Sequence, residues 1–230
     1  MLFRSDVARP GVKIGLSGGK TLYFLITYLE AGRLSGLHLY PLTLTPIVTM
    51  PGLTANAMVC MMSTKYPDTT AYTLPTIPVT SRQEYEQQMA ANPELLKIYR
   101  DMWNVDIIVM GVGYLTGPLP GFRALAQQEL GLSAEELAQK GVVAEINHTP
   151  INAAGEPMLD DDPELAALNR RVIGVGALEL RERAAMTDRL VIAVAGGLEK
   201  TEAIRASLKG RYYNVLITDA YVAEAIVGGG

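Results

Sequence analysis

Two stretches place glycines, hydroxyls and a lysine where a strand would hand over to a helix: IGLSGGKT at 14–21 and AVAGGLEK at 193–200. The first ends as a nucleotide-triphosphate loop ends, in glycine, Lys20 and Thr21. That loop also needs a glycine five positions before Gly19, a place held here by Ile14, and starting from Gly15 leaves the loop one residue short. No second strand end offers a carboxylate for magnesium: IVMG has none, and IAVAGG has none before Glu199. Nucleotide triphosphate hydrolysis is therefore disfavoured, and a compact anion such as a phosphate monoester fits better. Ser17, Gly18, Gly19, Lys20 and Thr21 supply backbone N–H groups, hydroxyls and an ammonium at the positive end of a helix.

Other residues could complete a site. The strand candidate IVMGVG brings Gly111 and Gly113 to a strand end, and Gly196 and Gly197 do the same for AVAGG. Ligands of open parallel sheets bind outside such carboxyl ends. Lys200 falls about one helical turn past AVAGG, able to point back over the strand ends or out to water. Glu145 interrupts the apolar run VVAEINH, either as a polar residue on an exposed face or as an acceptor for sugar hydroxyls. His38 and His148 are far apart in sequence and lack companion ligands, so no metal site is expected. DDDPE at 160–164 reads as a solvated helix start with Asp162 or a neighbour as cap. The single cysteine, Cys60, excludes an intrachain disulfide, fits a reducing cytoplasm and reads as a buried, inert thiol.

The elements that must position these groups alternate along the chain. VKIGL (12–16), LHLYPL (37–42), VDIIVMGVG (105–113), RLVIAVAGG (189–197) and YYNVLITD (212–219) read as strands, and the third is apolar enough for burial on both faces. Helical patterns cover 20–32 with Gly32 as stop, 55–66, NPELLKIYRDMW (92–103), SAEELAQKG (133–141), 199–210 and 220–227. AYTLPTI (71–77) is extended, and its prolines place it near a sheet edge. VVAEINHTPI followed by a turn at Asn152–Gly155 suggests a strand and a hairpin near 142–160. Alternating strands and helices with short links specify an α/β fold, a mostly parallel sheet with helices on both faces, in one domain over 1–230.

A hydrophobic content of 49% with 19% charged residues is that of a globular protein. The net charge of −4, without a basic cluster, argues against nucleic-acid binding by this chain. MLFRSDVARPG lacks the apolar core of a signal peptide, and no apolar run reaches membrane-spanning length, which points to the cytoplasm and to no membrane partner.

Taken in order, IGLSGGKTL, LTANAMVCMMS, the NPELLKIYRDMWNVDIIVMGVG block, VVAEINHTPINAAGEPM and DRLVIAVAGGLEKTEAIRASLKGRYYNVLITDAYVAEAI resemble the effector-binding domain of the SorC/DeoR-type sugar-binding transcriptional regulators. The resemblance covers nearly the whole chain, and its C-terminal block is its most specific part. It implies a fold similar to glucosamine-6-phosphate deaminase and ribose-5-phosphate isomerase, and a site for a phosphorylated sugar. Carried over by position, that site comprises Ser17 to Thr21, Asn56, Gly111, Gly113, Glu145, Gly196, Gly197 and Lys200. The resemblance further implies a dimer or tetramer, no cofactor, and DNA contact only through a separate helix-turn-helix domain that this chain does not contain. INHTPINAAG replaces the aromatic stretch that members usually carry after the acidic residue. The alternative is an isomerase or deaminase on the same fold, which would need a carboxylate or histidine as base after VMGVG. GYLTGPLPGF supplies none, which favours a sensor with no catalytic residues.

Overall fold

The computed structural model describes residues 11–30, 35–44, 50–66, 68–77, 79–116, 121–159 and 162–228. Its centre is a six-stranded, wholly parallel sheet in the order β11-β10-β5-β1-β2-β4. The strands are β1 (Lys13–Leu16), β2 (His38–Pro41), β4 (Thr70–Ala71), β5 (Ile107–Gly111), β10 (Leu190–Val194) and β11 (Val215–Ile217). Two small antiparallel sheets flank it: β3 (Thr43–Leu44) with β9 (Ile173–Gly174), and β6 (Gly113–Tyr114) with β7 (Ala144–Ile146) and β8 (Thr149–Ile151).

Ten helices surround the sheets among the described residues: α1 (Lys20–Tyr28), α2 (Ala55–Ser63), α3 (Arg82–Met89), α4 (Pro93–Met102), α5 (Phe122–Leu130), α6 (Ala134–Gln139), α7 (Pro163–Arg170), α8 (Ala177–Ala184), α9 (Thr201–Lys209) and α10 (Ala220–Val227). Alternation along β5 shows why the central strands are apolar throughout. Ile107 and Val109 pack toward α1 and α2, with Leu22, Ile26, Met58 and Val59. Ile108 and Met110 pack the other way, with Tyr99, Met102, Leu180 and Ile204 of α4, α8 and α9. A third apolar cluster lies apart from both, made by Phe122, Leu125 and Ala126 of α5, Leu137 of α6, and Leu165 and Leu168 of α7.

Several local expectations are met by named contacts. Asn92 accepts the amides of Glu94 and Leu95, with Pro93 in the first turn of α4. Ser133 and Glu136 cap α6 reciprocally, and Asp162 caps α7. Others are corrected. Helix α1 stops at Tyr28, where Leu29 is already extended, and Gly32 lies outside the described residues. The turn read at Asn152–Gly155 is present, with the Gly155 amide on Asn152 O at 2.9 Å, the Asn152 amide on Glu156 O at 3.0 Å and Ile151 opposite Pro157. An earlier turn precedes it, where Asn147 and His148 take φ values of 46° and 64° and fold β7 directly onto β8. Asparagine tolerates that left-handed conformation, the geometry of a two-residue hairpin loop. Only Thr70–Ala71 of the extended 71–77 region and its flank pairs as a strand, at the sheet edge. Cys60 is exposed rather than buried, because α2 turns Met58, Val59 and Met62 to the sheet and leaves Cys60 between them on the outer side.

Chain direction reverses across the sheet between β1 and β5. From β1 the chain runs outward through β2 to β4, then returns to the other side of β1 for β5, β10 and β11. Such a switch point opens a crevice at the carboxyl ends of the two strands that part there. Here those ends carry Ser17 and Gly111.

Candidate functional site

A cavity of about 550 Å³ occupies that crevice. It is lined by the β1–α1 turn, the end of β5, the N-terminal parts of α2 and α5, the β7–β8 hairpin, and Gly196 with Glu199 and Lys200 after β10. Of the twelve residues singled out by sequence, eleven line it; Gly197 does not.

The β1–α1 turn is shaped by close backbone packing. Gly19 takes φ 118°, and its amide donates to the carbonyl of Leu53 at 2.8 Å. A Cβ on Gly18 would stand 2.5 Å from that carbonyl oxygen, so only glycine lets the turn sit against the start of α2. Gly19 gives α1 no side-chain cap, so amides of its first turn face the cavity with the helix's positive end. The nearby α2 and α10 are capped by their own Thr54 and Asp219. Ser17 is buried with its amide on Val109 O at 3.1 Å, while Lys20 is exposed, its ammonium 5.7 Å from the Phe24 ring centre.

Lys200 reaches the cavity from the opposite strand end. Its Nζ lies 3.4 Å from Val112 O and 5.3 Å from the centre of the Tyr114 ring. Burial pushes its pKa below the ordinary lysine value, against the opposing charges of Glu199 and Glu145. Glu145, at the middle of β7, pairs across to Gly113 in β6 and accepts the amide of Phe122 at the start of α5. Its side chain fills the space that a Cβ on either Gly113 or Gly121 would need. Asn56 commits both ends of its amide to Leu74, donating to the carbonyl at 2.8 Å and accepting the N–H at 3.2 Å. It lines the cavity while fixing the 74–77 segment that brings Thr76 to the wall.

Sequence reading missed Asp219. Its Oδ2 accepts the Gly197 amide at 2.7 Å and its Oδ1 accepts the Val222 amide at 2.9 Å, so one carboxylate caps α10 and braces the turn that carries Lys200. These backbone donors hold its pKa below the usual aspartate value. Gly197, with φ 98°, thus serves the turn rather than the wall. An Asp directly before a helical run was a readable cap signal. Arg123 and Tyr114 on the wall were also missed.

Among the described residues the first amides of α1 have no hydrogen-bond partner, so the arrangement sets helix amides and a hydroxyl-bearing turn at one end and a lysine with a carboxylate at the other. It is a partly open cavity with an apolar wall and polar groups at its two ends, chemistry able to hold an anion at one and hydroxyls at the other.

Residues 3–228 match the family model described as "Putative sugar-binding domain", and the chain belongs to that family. It is similar to the deoxyribonucleoside regulator of Bacillus subtilis (strain 168), 24% identical over 98% of this chain and 67% of that protein. It is also similar to the erythritol catabolism regulatory protein EryD of Brucella abortus (strain 2308), 28% identical over 94% of this chain and 63% of the relative. The fold matches full-length SorC, the sorbitol operon regulator of Klebsiella pneumoniae, with a TM-score of 0.73 at 18% identity, covering 97% of this chain and 67% of that one. The chain therefore spans about two thirds of these regulators, as a sugar-binding domain of the kind that SorC- and DeoR-type transcriptional regulators carry. No helix among the described residues is long and apolar enough to cross a membrane.

Proposed function

We propose that this domain is the effector sensor of a cytoplasmic transcriptional regulator, and that its effector is a phosphorylated sugar. The observation that carries the reading is the convergence of the uncapped α1 N-terminus, Glu145 and Lys200 on one cavity within a sugar-binding family. The phosphate sits against the amides around Gly18 to Thr21, with the Ser17 and Thr21 hydroxyls beside it. Sugar hydroxyls donate to Glu145, and Lys200 donates to an oxygen of the ligand. Gly111, Gly113 and Gly196 let backbone approach it closely.

On this reading residues 1–230 form one effector domain acting as a sensor without catalysis, within a dimer or tetramer, and DNA is contacted through a separate helix-turn-helix domain. Binding changes the regulator by favouring one of its conformational states. Thermal-shift measurements with phosphorylated sugars and their unphosphorylated counterparts test the claim. A rise in melting temperature confined to the phosphorylated forms is expected; equal shifts for both forms would remove the phosphate site. Turnover of ribose 5-phosphate or glucosamine 6-phosphate would replace the sensor with an enzyme.

A further inference from the structure

We propose that Glu145 couples the cavity to helix α5: a hydroxyl of the bound sugar and the α5 N-terminus compete for one carboxylate, so that binding releases the first turn of α5. The inference rests on the sugar-binding reading above and adds how occupancy leaves the site.

Three observations support it. First, the acceptor for the first amide of α5 is supplied from 23 residues away, by Glu145, because Gly121 at the cap position has no side chain to give. Second, the carboxylate lies pressed between two backbones. A Cβ on Gly121 would come within 2.7 Å of Oε2, and one on Gly113 within 2.6 Å of Oε1. Among the described residues Oε2 alone has a hydrogen-bond partner, the Phe122 amide, while Oε1 lies against the two glycine backbones, so a cavity hydroxyl that turns the carboxylate toward the sugar takes it from the helix. A negative charge there also complements the helix dipole, so its withdrawal is felt by the whole first turn. Third, α5 can respond without disturbing the sheet. Phe122, Leu125 and Ala126 belong to the cluster shared with α6 and α7, separate from the two cores on the sheet faces. A shift at Phe122 therefore passes to α7 rather than to the central strands.

Hydrogen exchange read by mass spectrometry on the whole chain tests this, using peptides that cover 121–130 and, as reference, β5 and β10. Gly121→Ala evicts the carboxylate sterically, and Glu145→Gln keeps the volume but removes the charge. Without ligand, both should speed exchange at the start of α5, Gly121→Ala by about five-fold, the scale of a lost cap, with β5 and β10 unchanged. In the wild type, ribose 5-phosphate, fructose 6-phosphate and glucosamine 6-phosphate are compared, with the melting temperature recorded in parallel. Any that raises the melting temperature should speed the same α5 peptide and slow the one covering α1. A raised melting temperature with α5 exchange unchanged or slowed overturns the coupling and leaves the binding reading standing. Absence of any shift with these sugars counts against the binding reading. The coupling also falls if α5 in ligand-free Glu145→Gln exchanges as in the wild type.

Discussion

The carboxylate of Asp219 holds the amide of Gly197 at 2.7 Å while capping α10 through Val222. The pairing ties the end of β11 to the turn after β10, and that turn aims Lys200 across the strand ends. Asp219 is thus a positioning residue. Asp219→Ala should lower stability through the lost cap and weaken effector binding several-fold. Asp219→Asn, which keeps an acceptor oxygen, should recover most of the binding. Calorimetric titration beside thermal melts separates the effects; equal binding by the wild type and Asp219→Ala would deny the positioning role.

Acid should act through the same contact. The folded state holds the Asp219 pKa below its ordinary value, so the unfolded chain takes up the proton first as pH falls. Its contribution is fully present above the ordinary aspartate pKa and is lost as pH falls through the depressed folded value. Melting temperatures from pH 6 downward should show wild type and Asp219→Asn converging at the acid end. A constant gap would refute the linkage.

Lys200 and Thr21 face the ligand from opposite ends. Lys200→Ala and Thr21→Ala should each weaken binding by about 1–3 kcal/mol, the cost of leaving a charge-assisted or buried partner unpaired. Lys200→Ala should not reduce stability comparably, since the half-buried ammonium has one long carbonyl contact and a pKa already lowered by desolvation. Unchanged affinity in calorimetry would reject these roles.

Gly18→Ala tests the turn itself. The new methyl would meet the Leu53 carbonyl, so the β1–α1 turn must shift away from α2. A stability loss of about 1–3 kcal/mol, typical of overpacking, should accompany loss of phosphate-dependent binding. Retained preference for a phosphorylated over an unphosphorylated sugar would mean that the phosphate lies elsewhere.

What the sequence revealed was mainly local. Ser17 to Thr21, Gly111 to Gly113 and Gly196 to Lys200 were legible because an apolar run, glycines and a helix start lie adjacent in the chain. The parallel sheet followed from the same alternation. Helix α3 was not legible by periodicity, since RQEYEQQM is polar except for Tyr85 and Met89; Ser81 with Glu84 three residues on was the available cap signal. Helix α5 was missed behind the proline- and glycine-rich run before it, and α8 behind its charged face. The contact between Glu145 and Phe122 lay beyond reach, because it is made by a hairpin meeting a helix 23 residues earlier. Asn56, with an implied ligand role, lines the cavity and also donates one N–H to and accepts one from the Leu74 backbone, a contact no local pattern announces.

The most direct test is calorimetric titration of the wild-type chain with glucosamine 6-phosphate, ribose 5-phosphate and fructose 6-phosphate, each beside its unphosphorylated sugar. The account predicts saturable one-site binding for at least one phosphorylated sugar and at least ten-fold weaker binding of its dephosphorylated partner, the scale of a lost charge-assisted contact of about 1.4 kcal/mol or more. Equal affinity for the two members of every pair that binds would contradict it.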